Sequence, residues 1–290
     1  MNALIFGASG QDGHYLVAEC RRRGLRPIAA SRTSGEITCD VSNGSAVASL
    51  IESCRPAFVF HLAAHSTTRH DALFEHHATI AGGTLNILEA VRLHCPTARV
   101  FIAGSGVQFA NDGTPISEQS PFAATSPYAI ARIHSVYAAR YYRALGIRSY
   151  VGYLFHHESP RRASTHVSMM VARAARRIAD GSNEILTIGD VTVEKEWTFA
   201  GDVVAAMLLL VQQEETFEAV VGSGRAYSIA QWLEACFHRA GLRWQDHVRV
   251  REDFVPEYKR LVSSPETMFA LGWRPAVDFA ELADMMMRGA

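Results

Sequence analysis

The sequence has few cysteines, no excess of charge and no long apolar run. Its five cysteines form no CxxC pair or other short repeat, which argues against a zinc cluster and favours a reducing cytoplasm. The net charge is -1, so electrostatics gives no reason to expect a nucleic-acid or membrane partner. The longest apolar stretch, residues 203–211, is far shorter than the roughly 20 residues of a membrane helix. No signal peptide is expected either, because the first apolar run already begins at Ala3.

The first half of the chain alternates short apolar runs with amphipathic segments. Its 290 residues suit one large or two unequal domains. Buried strands are predicted at residues 3–6, 27–31, 57–64, 99–105 and 150–155. Helical spacing begins near Gln11, Ser42 and Glu75, and residues 126–146 are predicted to form one long helix. Alternating strands and helices predict a doubly wound α/β fold with a parallel sheet.

The pattern loosens after residue 155. Short strands at 184–189 and 218–222 mix with helices at 201–213 and 228–240. We therefore expect a dinucleotide-type domain over residues 1–155 and a smaller C-terminal α/β lobe over residues 156–290. The chain should cross back to the first domain at least once. A functional site is expected in the cleft between the two.

The segment GASGQDG, residues 7–13, follows the first predicted strand and opens the first predicted helix. Its glycines are Gly7, Gly10 and Gly13. Glycines in a strand–turn–helix context permit a tight turn, close backbone approach to a pyrophosphate and close helix packing. The segment therefore predicts a dinucleotide site, in which Ser9, Gln11 and Asp12 also take part. The alternative is a plain strand–helix turn.

The end of the second predicted strand indicates which dinucleotide is bound. An NAD site usually has Asp or Glu there, whereas this strand ends in the sequence SRTS, residues 31–34. Arg32, with Ser34 beside it, suits the 2'-phosphate of NADP, so NADP is favoured over NAD. The alternative is a solvated loop arginine.

Four further residues are predicted to line the dinucleotide site. Asp40 and Val41 follow the second strand and are expected to face the adenine ring. Ala63 and Ala64, at the end of the strand at 57–64, leave room for phosphates and ribose.

Thirteen histidines raise the question of a metal. Several lie close in sequence near residues 65–77, but adjacent histidines point in different directions, and no HExxH spacing occurs. No metal site is predicted. His65 is expected to line the cleft or to be a plain polar loop residue, and Ser66 to contact the substrate.

Several motifs together resemble the extended short-chain dehydrogenase/reductase family, and within it the GDP-mannose 4,6-dehydratases. The segment GASGQDG is close to that group's GxxGQDG, and LFHHESPRR, residues 154–162, is close to its LFNHESPRR. The stretches at 194–204 and 271–275 also match. The resemblance implies a nicotinamide cofactor, a nucleotide-sugar substrate, and a homodimer or homotetramer that pairs through the helix at 126–146.

In that family a tyrosine takes the proton of the sugar hydroxyl, and a lysine four residues later holds the nicotinamide ribose. Tyr128 matches the tyrosine, but Arg132 stands at the lysine position. Four residues are about one helical turn, so both side chains should face the cofactor. Arginine keeps the positive charge, yet its planar fork is larger than an ammonium group and cannot relay a proton. A packing role for Tyr128 is the alternative.

The strand at 99–105 continues into a segment that differs from the family motif STSELYG. Alignment of this segment with the motif places Gly106 at the hydroxyl residue and Gln108 at the catalytic glutamate. Glutamine has no basic group for removing a proton. Ser105, one position off, is expected to replace the hydroxyl only if the local turn differs.

The resemblance also implies the residues around the substrate. Phe155 is expected against the cofactor, and His156, Glu158, Arg161, Arg162 and Lys195 against the nucleotide-sugar. The family's basic residues after HESPRR fall on Met169 and Met170, which are more typical of a core.

Two functions follow from these residues. The first is an NADP-dependent nucleotide-sugar enzyme that transfers a hydride at the sugar 4-position, as a dehydratase, epimerase or reductase. Glutamine at the expected glutamate position makes full 4,6-dehydration doubtful. The second is a catalytically silent NADP-binding relative that acts as a sensor or partner subunit.

Overall fold

A seven-stranded parallel sheet forms the centre of the molecule. The computed structural model describes residues 1–33 and 36–289. In chain order the strands of this sheet are β1 (Asn2–Phe6), β2 (Arg26–Ser31), β3 (Ile37–Thr38), β4 (Phe58–His61), β5 (Arg99–Ser105), β6 (Arg148–Leu154) and β11 (Glu218–Val221). Their spatial order is β11-β6-β5-β4-β1-β2-β3. The order reverses between β1 and β4, which is where such sheets open a ligand crevice. The predicted doubly wound fold is confirmed.

Helices cover both faces of this sheet. They are α1 (Gln11–Arg22), α2 (Gly44–Cys54), α3 (Leu73–His76), α4 (Gly83–His94), α5 (Pro127–Ala144) and α7 (Ala200–Leu210). Leu16 of α1 and Val203 of α7 share one apolar core with the sheet, and Val47, Ile87 and Val136 share the core on the other face. No helix within the described residues is both long and apolar enough to span a membrane.

Side-chain caps explain where two of these helices begin. Asn43 accepts a hydrogen bond from the Ala46 N–H at the start of α2. Ser126 accepts one from the Ala129 N–H at the start of α5, and Pro127 occupies the first helical position. Both arrangements satisfy amide groups that a helix start leaves without partners. The long helix predicted at 126–146 is therefore present with slightly shorter bounds.

The remaining elements form a smaller lobe with its own core. Its strands are β7 (His157–Glu158), β8 (Leu186–Ile188), β9 (Glu194–Glu196), β10 (Thr198–Phe199), β12 (Ala226–Ser228), β13 (Val248–Val250) and β14 (Arg260–Leu261). Of the remaining helices, α6 (Val167–Ala179), α8 (Ile229–Arg239) and α10 (Phe279–Arg288) belong to this lobe, whereas α9 (Glu266–Ala270) packs on the core of the central sheet. Trp197 and Trp232 stack at 4.5 Å between ring centroids in this core. Met169 is buried there and Met170 packs against it.

The strand β4 is shorter than the predicted run at 57–64. The Leu62 N–H still donates to the Phe6 carbonyl, but the chain then leaves the sheet and crosses closely over Gly7. A Cβ on Gly7 would lie 2.6 Å from the Ala63 nitrogen. Residues 62–64 thus form one wall of the crevice and do not lengthen the strand.

The chain returns to the central sheet at β11, where Glu218 fixes the edge strand to α5. Its carboxylate accepts hydrogen bonds from Arg140 at 2.7 Å and from the Tyr153 hydroxyl at 2.6 Å, and lies 3.1 Å from Arg143. Burial alone would raise the pKa of Glu218. The hydrogen bonds from Arg140 and Tyr153 and the charges of both arginines outweigh burial and lower that pKa to about 2.

Glu218→Gln should therefore destabilise the fold in a pH-dependent way. We expect the free energy of unfolding to fall by about 2 kcal/mol at neutral pH, because the guanidinium groups of Arg140 and Arg143 lose the negative carboxylate charge that they share. The folded pKa lies below the ordinary 4.5, so the contribution is present above pH 4.5 and is lost as the pH falls towards about 2. Urea unfolding at neutral and acidic pH measures this difference.

The matched control is Glu184→Gln, which removes an exposed ion pair with Arg177. We expect it to change stability by less than about 0.5 kcal/mol. Equal losses in both variants would contradict a special role for Glu218.

Candidate active site

A deep cleft lies at the carboxyl ends of β1, β4 and β5, between the sheet and the smaller lobe. Its cavity measures about 370 Å³. Tyr128 and Arg132 enter it from α5, and Arg162 and Lys195 enter it from the smaller lobe. The cleft therefore combines groups that are far apart in the sequence.

The glycine turn at 7–13 is packed too tightly for side chains at two of its glycines. Gly7 has φ +86°, a conformation that other residues rarely adopt. A Cβ on Gly13 would lie 2.4 Å from the Gly7 carbonyl oxygen. Gly10 is the residue before α1, and its Cβ position is less crowded, at 3.3 Å from the Gly7 carbonyl oxygen. This backbone cradle at a helix start fits a pyrophosphate.

A second cavity of about 240 Å³ adjoins the glycine turn on the β2 side. It is lined by eight residues predicted for the dinucleotide, namely Gly7, Ser9, Gly10, Arg32, Asp40, Val41, Ala63 and Ala64. Ser34, also predicted for this site, lies outside the described residues. The Ser42 backbone and hydroxyl donate to Asp40 and lower its pKa.

His65 lies in this second cavity and not in the main cleft where a substrate contact was expected. Its Nε2 is 3.2 Å from Glu75 Oε1. The next residue, Ser66, lines the main cavity. After β4 the chain passes between the two cavities, so His65 faces the second cavity and Ser66 faces the main cavity.

Tyr128 and Arg132 both line the main cavity, as the one-turn spacing predicted. The Arg132 guanidinium carbon lies 5.0 Å from the centroid of the Tyr128 ring. One of its terminal nitrogens donates to the Ala103 carbonyl of β5. The arginine is almost fully buried, so little water screens its charge from the tyrosine.

Two buried histidines, which the sequence did not single out, lie behind this pair. His76 packs edge-on against Tyr128 with 5.5 Å between ring centroids. Burial and the Arg132 charge lower the pKa of His61 to about 4, so its ring is neutral at physiological pH. The spacing of the histidines in the sequence did not predict that they lie behind Tyr128 and Arg132, because these contacts depend on a helical stretch that begins at His70.

The end of β5 differs from the expected arrangement at Gln108. A short 3-10 helix, Gly106–Gln108, turns the Gln108 side chain inward, where it is fully buried and its Oε1 accepts from the Ser105 N–H at 2.8 Å. Ser105, Gly106 and Val107 line the cavity instead. Gln108 therefore does not stand at the catalytic glutamate position.

With this turn, GSGVQFA aligns with STSELYG residue for residue. Ser105 then replaces the motif's threonine and keeps its hydroxyl, while Val107 replaces the glutamate. The sequence predicted that Ser105 would replace the hydroxyl only if the local turn differed from a continued strand. The 3-10 helix at Gly106–Gln108 is such a turn. In this alignment Val107, and not Gln108, stands at the position of the motif's glutamate.

The glycine turn is tied to the smaller lobe by an ion pair between Asp12 and His157. His157 Nε2 lies 2.9 Å from Asp12 Oδ1, and its Nδ1 lies 2.7 Å from the Phe155 carbonyl oxygen. Neither partner can donate, so both ring nitrogens carry protons and the ring is charged. Burial would lower the pKa of His157, but the Asp12 charge and hydrogen bond outweigh it and raise that pKa.

Glu158 lies beneath the basic end of the cleft. It is almost fully buried, and its carboxylate lies 3.4 Å from Arg162, 3.7 Å from Lys195 and 2.6 Å from the Ser168 hydroxyl. Burial would raise the pKa of Glu158, but the two cations and Ser168 lower it. Glu158 therefore acts as their counter-charge beneath the cavity, whereas the substrate contact expected of it requires exposure.

Arg162, Lys195 and His156 line the cavity, as does Phe155, but Arg161 does not. Arg161 is exposed in the loop after β7. It therefore does not lie in the cavity, where the motif implied a contact with the nucleotide-sugar. His166, not expected from the sequence, also lines the cavity. Burial and the Arg162 charge lower the pKa of His166 to about 4.

Two contacts from the segment at 254–258 close the cleft. The Thr68 hydroxyl donates to Glu257, which joins the loop after β4 to the smaller lobe. The Tyr258 hydroxyl lies 3.0 Å from His156 Nε2. Burial, together with the charges of Lys195 and Arg162, lowers the pKa of His156 well below its ordinary value, which leaves the ring neutral.

Asp12→Asn should weaken the ligand-free fold most at mildly acidic pH. His157 has a raised pKa, so its contribution is present below the ordinary 6.5 and is lost as the pH rises through the raised value. Asp12 has a lowered pKa, so it loses its charge only below the ordinary 3.8. We expect a loss of about 1–2 kcal/mol near pH 5.5, shrinking by about pH 8.5, in thermal unfolding.

Glu52→Gln serves as the control, since it removes a more exposed histidine–carboxylate pair with His94. It should have little effect at either pH. A pH-independent loss in Asp12→Asn would rule out a charged His157.

Comparison with known proteins identifies relatives of this chain. The family model of GDP-mannose 4,6 dehydratase matches residues 4–286. GDP-mannose 4,6 dehydratase 1 of Arabidopsis thaliana is 31% identical over 320 residues, which cover 98% of this chain and 88% of that protein.

Two solved structures share the fold. The UDP-glucose 4-epimerase of Thermus thermophilus, in complex with NAD, has a TM-score of 0.86 at 22% identity and covers 99% of this chain and 98% of its own. RMD from Pseudomonas aeruginosa, complexed with NADPH, has a TM-score of 0.86 at 22% identity, with 99% and 97% covered. From the family match and the Arabidopsis relative, the chain belongs to the GDP-mannose 4,6-dehydratase family, a family of nucleotide-sugar-modifying enzymes.

Proposed function

We propose that this protein is an NADP-dependent enzyme that transfers a hydride at the 4-position of a nucleotide-sugar without completing a 4,6-dehydration. The proposal rests on the residues that line the cleft. Tyr128, Arg132 and Ser105 line it beside the glycine turn, while Val107 lies where the family motif has a glutamate.

A nicotinamide dinucleotide is supported by the cradle at Gly7, Gly10 and Gly13 and by the second cavity beside it. Similar solved structures were determined with NAD or with NADPH. Arg32 in the second cavity supports NADP, because a guanidinium group suits a 2'-phosphate. When bound, the nicotinamide accepts or donates the hydride.

The chain's own residues handle the proton of the sugar hydroxyl. Tyr128 is the acid/base, because its side chain lines the cavity and the buried Arg132 guanidinium lies over its ring. Ser105 lies at the position of the family's hydroxyl residue and supplies a second hydrogen bond to the reacting oxygen. Together they orient the alcohol for oxidation or the ketone for reduction.

The loss of the carboxylate at 107 decides among the family's reactions. Dehydration requires a base that removes a proton beside the new ketone, and valine has no titratable group. Hydride transfer alone needs only the tyrosine and its supporting charge. A reductase or an epimerase therefore fits this cleft better than a complete dehydratase.

The basic end of the cleft supports a nucleotide-sugar substrate. Arg162 and Lys195 bring two positive charges, and Glu158 beneath them offsets one. The excess positive charge suits a diphosphate. Within the proposal, residues 1–155 bind the dinucleotide and residues 156–290 bind the substrate.

A second candidate is a silent relative that binds the dinucleotide as a sensor or partner subunit. Arg132 favours it, because one of its terminal nitrogens is held by the Ala103 carbonyl. The family's lysine reaches the nicotinamide ribose, whereas this guanidinium is partly committed to β5. Turnover separates the two candidates.

The proposal includes a homodimer or homotetramer. An apolar stripe on α5 supports it, since Ile130, Tyr137, Tyr141 and Leu145 are all about half exposed or more. Their spacings of seven, four and four residues place them along one helix face, with Leu145 directly after the last residue of α5. A cytoplasmic location is also proposed, and the five free cysteines support it.

Tyr128→Phe should abolish turnover. We expect purified protein to change NADP(H) absorbance with at least one of the GDP-, UDP-, CDP- or dTDP-sugars, and Tyr128→Phe to lower kcat by about 100-fold or more. Product mass names the reaction. Dinucleotide binding without turnover on the whole panel would instead favour the silent relative.

The pair Val107→Glu and Gln108→Glu tests the register of the β5 end. Val107→Glu places a carboxylate in the cavity and should yield a product lighter by one water. Gln108→Glu buries a charge and should cost about 3 kcal/mol of stability without any new product. Urea unfolding and mass spectrometry measure both effects, and dehydration by the Gln108 variant would reverse the assignment.

A further inference from the structure

Glu75 shares the second cavity with Arg32. Arg32 Nη1 lies 3.1 Å from Glu75 Oε1, and His65 Nε2 lies 3.2 Å from the same oxygen. All three residues line the cavity beside the glycine turn. Any ribose held near Arg32 would therefore also meet this carboxylate.

Glu75 brings a carboxylate to a cavity in which the end of β2 supplies none. NAD sites usually take a carboxylate from the end of the second strand to hold the ribose hydroxyls. Here that place holds Arg32, and a carboxylate reaches the same cavity from α3, more than 40 residues later in the chain. The cavity thus contains one group suited to each dinucleotide.

We propose that Glu75 sets the cofactor selectivity of this site, by accepting hydrogen bonds from the ribose hydroxyls of NAD and by opposing the 2'-phosphate of NADP. The inference rests on the proposed function, namely that the chain binds a nicotinamide dinucleotide. Glu75 weakens the preference for NADP that Arg32 alone would give. The natural protein therefore still binds NADP but also accepts NAD, with a smaller preference for NADP than Arg32 alone would give.

Charge and exposure set the size of the effect. The Arg32 and Glu75 side chains are 54% and 35% exposed, so water screens them in part. A carboxylate within several ångströms of a doubly charged phosphate in such a setting should change affinity by about tenfold. An ion pair with no role in ligand binding would leave the ratio of the two affinities unchanged.

The experiment compares dissociation constants for NADPH and NADH by isothermal titration calorimetry, without substrate. Glu75→Gln keeps the shape of the side chain and removes its charge. Arg32→Ala removes the group suited to the phosphate. Asp71→Asn is the matched control, because Asp71 is a nearby exposed carboxylate that pairs with Arg69 outside the cavity.

We expect the wild-type protein to bind both dinucleotides within about tenfold of each other. Glu75→Gln should tighten NADPH about tenfold and leave NADH equal or weaker, while Asp71→Asn changes neither. Arg32→Ala should weaken NADPH selectively.

If Glu75→Gln still binds both dinucleotides and the ratio of the NADPH and NADH affinities is unchanged, the role of Glu75 is overturned while the proposed function stands. The same holds if Asp71→Asn shifts the ratio equally, since that would indicate general surface charge. Failure of the wild-type protein to bind either dinucleotide overturns the proposed function itself, and the inference with it.

Discussion

The ion pair between Asp12 and His157 determines how the two halves of the cleft face one another. Asp12 lies in the first turn of α1, directly after the tightly packed glycine turn. His157 begins the first strand of the smaller lobe, and beside it the Ser159 hydroxyl donates to Gln11 at 2.9 Å. Since His157 also bonds the Phe155 carbonyl, the contact fixes the backbone at the point where the chain leaves β6. The basic residues that follow are thereby held over the same cavity as Tyr128.

The sequence predicted those parts of the molecule that depend on local pattern. Apolar runs and glycine spacing located β1, β2, β5 and β6, the turn at 7–13 and the helix α5, because each is determined by residues near in sequence. The one-turn spacing also placed Tyr128 and Arg132 in one cavity. The fold class followed from the alternation of these elements.

What the sequence could not give depends on turns and on distant contacts. The register at the end of β5 rests on a 3-10 helix that buries Gln108 and brings Val107 to the surface of the cleft. No periodic pattern distinguishes that turn from a continued strand. Glu75 was equally hidden, because its partner Arg32 lies on another element. Arg161 and Arg162 are adjacent, and only the loop conformation separates the exposed one from the one in the cavity.

In the proposed alignment the cleft keeps two features of the family motif, namely a hydroxyl at Ser105 and a positive charge at Arg132. The departures that the proposal assigns to it are valine in place of the motif's glutamate at 107 and the shape of the cation at 132. These two changes act on different steps. A missing base affects proton removal from carbon, whereas a guanidinium in place of an ammonium group affects how the tyrosine and ribose are held.

The return of the chain at β11 has a consequence for any attempt to divide the protein. A fragment that ended near residue 155 would lack both β11 and α7. The strand β6 would then become an open edge with unpaired amide and carbonyl groups, and Leu16 on α1 would face water where Val203 now covers it. Exposed edges of this kind pair with other chains, so such a fragment should aggregate. The first lobe should therefore not be produced without the second, because its sheet is completed only by residues that are translated after much of the second lobe.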